Sequence, residues 1–175
     1  MEDIVIAIDA STKSSGIAIY ENKELIKYLC ITQSSKDVLK RIKGMTDEIE
    51  KLYQEYKDNN VQVIIEQIIP DNLNDDNAKW TKNQATFKAL FYLQAAIVLM
   101  FHSYNIEVEF IGASSWRKQC GIKQGGIKRD TLKQKDIEFV KDVFGLTVND
   151  DVADAICIGY AKIHQQPEPK PFEWT

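Results

Sequence analysis

Apolar and polar positions along the chain alternate between two periods, and the switches mark the elements. Ile4 to Ile8 is an unbroken β-branched and apolar run that ends in a charge, Asp9. A small polar turn, Ala10 to Ser15, leads through Gly16 into a second apolar run, Ile17 to Tyr20. This pattern predicts two antiparallel strands joined by a hairpin, with a third strand over Glu24 to Ile31. Val38, Ile42, Met45, Ile49, Leu52, Tyr53 and Tyr56 recur at three- and four-residue steps. They predict a long helix with one buried face, capped by Ser34 or Ser35 and stopped by Asp58-Asn59-Asn60.

Val61 to Ile65 is a short apolar run ending in Glu66, as expected of a strand buried on both faces. Pro70 to Trp80 reads as a polar loop. A helix is predicted over about residues 82–104, a strand over Val108 to Ile111, and a short helix over Ala113 to Gln119. Gly121 to Gly126 reads as a flexible basic loop. The next helix runs from Asp130, as N-cap, to Phe144, and Gly145 ends it. A last helix begins near Val148 to Asp151 and stops before Gln165. The proline-rich end cannot stay helical, so residues 166–175 read as an extended tail on a domain of residues 1–165. The order predicts an α/β fold with a five-stranded mixed sheet, a meander on one side and parallel strands on the other, flanked by helices on both faces.

In such a sheet the first and fourth strands are parallel neighbours, so Asp9 and Glu66 emerge side by side at their C-terminal ends. Ligand sites of open α/β sheets lie there. Asp151 and Asp154 are three apart and share a helix face that also carries apolar residues. Each of these acids has an ordinary reading alone: a turn residue, a helix-dipole charge, or a partner for a lysine. Four carboxylates at the edges of apolar elements point instead to a hard divalent cation. Mg²⁺ takes oxygen ligands, and two such ions can activate water and stabilise a leaving oxygen in phosphodiester cleavage. The sequence offers no His-based triad and no Cys beside a His.

Composition narrows the setting. The chain has 175 residues, 44% hydrophobic and 27% charged, as expected of one globular domain. A formal charge of −4 means that any polyanion-binding surface is a local patch. Cys30, Cys120 and Cys157 lack CxxC spacing and read as reduced thiols in or near the core. Glu2 and Asp3 run straight into the first strand, unlike a signal peptide. The most apolar stretch, Phe87 to Phe101, contains Lys88 and Gln94 and is too short to span a bilayer. No membrane role and a cytoplasmic setting are expected.

The residues I-A-I-D-A-S-T-K-S-S-G, then V-I-I-E-Q, then D-V-A-D-A-I resemble the RuvC-type Holliday junction resolvases of the ribonuclease H-like superfamily. The three motifs occur in order, and the small size looks most like a phage-encoded version acting in a bacterial host cell. The resemblance implies a homodimer that nicks two strands of branched DNA symmetrically, leaving 5′-phosphate and 3′-hydroxyl ends. It implies Asp9, Glu66, Asp151 and Asp154 as catalytic metal ligands for Mg²⁺, with Mn²⁺ substituting and two ions during catalysis. Asp150 is a neighbour of this set, not a member.

From Arg117 to Lys135 seven basic residues stand against Asp130, a local balance of +6. By resemblance Lys118 and Lys128 sit near the scissile phosphate, and Arg117, Lys123 and Arg129 join them as DNA-binding candidates. Trp116 packs under this segment or touches DNA, and Gln94 is a candidate polar contact at a subunit interface. Family members often carry an aromatic wedge shortly after Glu-Gln. Here Ile68 and Ile69 follow, which makes Ile69 the candidate wedge. Two rival classes are an actin-like nucleotide-binding phosphotransferase or ATPase fragment, whose phosphate loop the first hairpin also resembles, and a branched-DNA-binding module without catalysis.

Overall fold

The computed structural model describes residues 1–68 and 80–165. Ile69, residues 70–79 of the expected loop and the expected tail over residues 166–175 lie outside the described residues, and Trp80, the last residue of that expected loop, is helical. The strands are β1 (Asp3–Asp9), β2 (Ser14–Glu21), β3 (Glu24–Thr32), β4 (Asn60–Glu66) and β5 (Val108–Ile111). The helices are α1 (Val38–Gln54), α2 (Trp80–Ser103), α3 (Ala113–Gln119), α4 (Arg129–Phe144) and α5 (Asp150–Ile163). The sheet order is β3-β2-β1-β4-β5. β1, β2 and β3 form the antiparallel meander, and β4 and β5 extend it in parallel from β1.

The two faces of β1 bury different cores. Ile4, Ile6 and Ile8 lie with Ile42, Met45 and Ile49 of α1 and Leu93, Ile97 and Phe101 of α2. Val5 and Ala7 lie on the other face, with Trp116 of α3, Val140 of α4 and the apolar side of α5. Both faces of the sheet therefore carry helices, as the unbroken apolar runs of its central strands β1 and β4 require.

Helix starts depart from expectation in two places. Asp37, rather than Ser34 or Ser35, caps α1, its Oδ1 accepting from the backbone N–H of Leu39 at 2.8 Å. The Ser35 hydroxyl instead accepts from the N–H of Asp37. α4 opens one residue before Asp130, which lies in the first turn as a favourable charge for the helix dipole. Gly145 ends α4 in the left-handed conformation, at φ 69°.

α2 lies within two residues of the expected helix at each end, but its apolar stretch is longer than Phe87 to Phe101. Its segment Gln84–Ser103 is long and apolar enough, by length and composition alone, to cross a membrane. In the fold Leu93, Ile97 and Phe101 are fully buried on the sheet, while Phe91, Tyr92 and Leu99 are exposed. All three cysteines are free thiols, Cys120 and Cys157 buried and Cys30 half-buried.

Candidate active site

Strand register decides which way the first two acids point. Ala7 pairs with Ile64 and Ile8 with Ile65 in the parallel β1–β4 ladder. Side chains alternate across a strand, so Asp9 and Glu66 share the face of Ala7 and Ile64. That face carries α3 and α5. The strands lie about 4.8 Å apart, so the two carboxylates leave the sheet as neighbours.

α5 brings the other two. Asn149 caps it, its side-chain oxygen accepting from the N–H of Val152 at 2.9 Å. This fixes the helix start and sets Asp151 in the first turn and Asp154 one turn on. Gly16, the antiparallel partner of Asp9, lets the helix come down onto β2. A Cβ there would stand 1.8 Å from the carbonyl oxygen of Asp151. The Ser14 hydroxyl donates to Asp151 Oδ2.

Glu66 is held at both ends. Its backbone carbonyl accepts from Gln94 Nε2 at 2.7 Å, and its Oε2 accepts from Trp116 Nε1 at 2.8 Å. Gln94 thus has a partner within its own chain, the backbone of Glu66. Trp116 is fully buried, so the packing alternative holds for it.

The acids repel one another. Burial, then the charges of Glu66 and Asp151, push the Asp9 carboxyl up to about 8, against the pull of Lys133. Burial and then Asp9 raise Asp154 in the same direction. Burial also raises Glu66, although the Trp116 hydrogen bond and the charges of Arg117 and Arg129 oppose it. Asp154 is buried, and its Oδ1 has no hydrogen-bond partner among the described residues. Asp150 runs opposite to Asp9, Glu66 and Asp154: its bond to Lys133 lowers it.

Among the described residues no three acid, His or Cys side chains already stand in ligating geometry. The backbones under the four acids are held by the strand ladder and by the Gly16 contact. An orphaned carboxylate oxygen and mutually raised acids are what a cation would relieve, so the donor set fits a hard divalent ion.

The basic segment divides. Lys118, Lys123, Lys128 and Arg129 are exposed. Lys118 and Lys123 line an open groove of about 520 Å³ with Ser114, Ser115 and Gln124. Arg117 turns inward instead: its Nη2 lies 2.7 Å from Oδ2 of the fully buried Asp136. It is thereby withdrawn from the candidate DNA-binding surface, because Asp136 without it would be an unpaired buried charge.

No protein-family model matches the chain, and no curated protein matches it in sequence. Its backbone does match solved structures. T. thermophilus RuvC in complex with Holliday junction substrate matches over 92% of this chain and 92% of its own, with TM-score 0.67 at 12% identity. The fold is that of RuvC. Thermus thermophilus RuvC in a second structure matches over 92% and 93%, with TM-score 0.65 at 13% identity. The yeast mitochondrial Holliday junction resolvase matches over 91% of this chain and 77% of its own, with TM-score 0.58 at 12% identity. The RuvC-like fold bears out the expected α/β architecture, a five-stranded mixed sheet with helices on both faces.

Three residues of the site region were not singled out for it from sequence. Ser14 was hidden in a turn of small polar residues. Lys133 was one lysine among seven basic residues. Gln94 stood out as the polar residue of an apolar helix, which is a readable signal, but its partner was not.

Proposed function

We propose that the protein is a metal-dependent endonuclease that resolves Holliday junctions and other branched DNA by paired nicks, leaving 5′-phosphate and 3′-hydroxyl ends. What supports this reading is that Asp9 and Glu66 end adjacent strands on one sheet face, that Asp151 lies against Gly16 on that face, and that Asp154 Oδ1 is buried and unpartnered among the described residues. These four acids would hold Mg²⁺, or Mn²⁺ in its place, as two ions. Bound there, the ions would supply activation of an attacking water and stabilisation of the leaving oxygen.

The chain's own residues do the rest. Lys118, Lys123, Lys128 and Arg129 form an exposed basic shelf that takes phosphates of the backbone. Ser14 orients Asp151, and Lys133 holds Asp150 out of the ligand set. The short α3 carries Lys118 on its exposed side and Trp116 on its buried side, so one element reaches both phosphate and ligand. Symmetric nicking requires two sites, and the exposed apolar side of α2 supports a homodimer.

A junction-binding module without catalysis is the second reading, favoured by the lack of preformed three-acid geometry among the described residues. A cleavage panel of four-way junction, fork, flap and linear duplex with Mg²⁺ separates the two. Paired nicks in the junction are expected. Asp9→Asn and Glu66→Gln should abolish them while leaving junction binding in Ca²⁺ largely intact. Binding without cleavage by the unsubstituted protein, or cutting unchanged in either variant, sinks the nuclease reading. An ATP-binding test in the same series addresses the actin-like class, for which no binding is expected.

A further inference from the structure

Glu66 has a stack of side chains behind it that metal ligation alone does not call for. Asp136 has no exposure and holds the Arg117 guanidinium by Nε at 3.1 Å to each oxygen and Nη2 at 2.7 Å to Oδ2. The same guanidinium lies over the Trp116 indole, 4.2 Å from Cζ to the ring centroid. The indole has one polar hydrogen, and it points at Glu66 Oε2. The stack thus runs from a buried acid, through a planar cation, through an aromatic plane, to one oxygen of a candidate ligand.

Each layer constrains the next. The bidentate ion pair fixes the guanidinium plane. The plane restrains tilting of the indole. The indole N–H selects one rotamer of Glu66 and leaves Oε1 without a partner among the described residues. Gln94 meanwhile anchors the Glu66 carbonyl, so the side-chain torsions are the freedom that remains to be removed. A buried ion pair adds little net stability over apolar packing of the same volume. Fixed orientation is therefore the better account of why a charge pair occupies this part of the core.

We propose that Trp116, clamped by the Arg117–Asp136 pair, is a positioning residue that presents the Glu66 carboxylate to a divalent cation. The proposal rests on the reading of Glu66 as a ligand, and its test separates the two. Mn²⁺ affinity is measured without DNA, by calorimetry or electron paramagnetic resonance, on folded wild type, Glu66→Gln, Trp116→Phe and the double variant. Phenylalanine keeps an aromatic ring and removes the N–H. Hydrogen-bond partners of ligands typically govern affinity by about 10- to 100-fold, so Trp116→Phe should weaken Mn²⁺ by at least about tenfold. The double variant should bind no more weakly than Glu66→Gln. Wild-type affinity in Trp116→Phe, with loss in Glu66→Gln, overturns the positioning role and leaves the metal reading standing. Wild-type affinity in Glu66→Gln overturns both.

A readout on the unsubstituted core guards against a Trp116 variant that fails to fold. ¹⁵N-tryptophan labelling gives indole signals that Trp80→Phe and Trp174→Phe assign by elimination. The Trp116 signal should move on Mg²⁺ addition with the midpoint of ion binding. A Trp116 signal that stays still at saturating Mg²⁺ refutes the proposal.

Discussion

Gly16 approaches Asp151 so closely that the smallest side chain would overlap the helix: its Cβ would lie 1.8 Å from the Asp151 carbonyl oxygen and 2.9 Å from the Val152 nitrogen. The atoms met are backbone and cannot swing aside. Gly16 is also the strand partner of Asp9. One residue without a side chain therefore sets the distance between an acid on the sheet and an acid on α5.

Gly16→Ala should push the start of α5 away from β2. Overpacking of this kind costs about 1–3 kcal/mol, so the protein should still fold, with a lowered melting temperature. Cleavage should fall by more, roughly 100-fold, because a misplacement near 1 Å of reacting groups has that effect. Thermal denaturation and single-turnover cleavage of a four-way junction check the two parts. A variant that cuts at the wild-type rate would show that the contact does not set the site.

Burial of the acids, with their mutual repulsion second, predicts how stability depends on pH without metal. Asp9 has an ordinary value of 3.8 and stands at about 8 in the folded chain. A carboxyl raised on folding holds its proton more tightly in the native state. Its contribution is full below about pH 4 and is lost as pH rises through about 8. Melted in chelator, the protein should lose stability across that window, and Asp9→Asn should flatten the loss. At pH 8 the variant should be the more stable of the two, by on the order of a few kcal/mol. Parallel pH profiles for wild type and variant would contradict the burial and crowding argued for this carboxylate.

Much of this was written in the order of apolar runs. Asp9 and Glu66 were readable because each ends a strand, and strand ends have one geometry once the sheet order is known. Asp151 and Asp154 were readable because helical spacing puts them on one face. The basic segment was readable as a segment only. Nothing in Trp-Arg-Lys says that Arg117 turns inward while Lys118 turns out. That division is made by Asp136, nineteen residues away and on a different helix, whose burial demands a cation. Long-range demands of this sort leave no local pattern, and Ser14 and Lys133 went unassigned for the same reason. The first helix start was misplaced because Ser35 and Asp37 compete for one cap within three residues, and the carboxylate won.

The divided basic segment yields opposite outcomes for neighbouring residues. Lys118→Ala and Lys128→Ala remove exposed charges, so stability should change by less than about 0.5 kcal/mol. Junction binding should weaken, with the salt dependence falling by about one phosphate contact each. Arg117→Ala should behave differently, because it strands Asp136 as a buried charge, at about 3–5 kcal/mol. Chemical denaturation and binding titrations over a range of salt distinguish the three. Loss of the salt slope in Arg117→Ala without loss of stability would mean that the guanidinium faces DNA after all.

The outer side of α2 carries the last prediction. A helix of 24 residues that is apolar on both sides belongs where both sides are covered. Its inner side is covered by α1 and the sheet, where Leu93, Ile97 and Phe101 are fully buried. Its outer side leaves Leu99 at 68% exposure, with Tyr92 at 49% and Phe91 at 45%. A second copy meeting this surface about a two-fold axis would cover both outer sides with one contact and supply the second active site that symmetric nicking needs. Sedimentation velocity should find a dimer for the unsubstituted protein. Tyr92→Glu with Leu99→Glu should convert it to a monomer, with the fold kept because neither side chain enters the core. That monomer should nick junctions on one strand and resolve them poorly. A wild-type monomer that still makes paired cuts, or a double variant that remains dimeric, would remove α2 from the assembly.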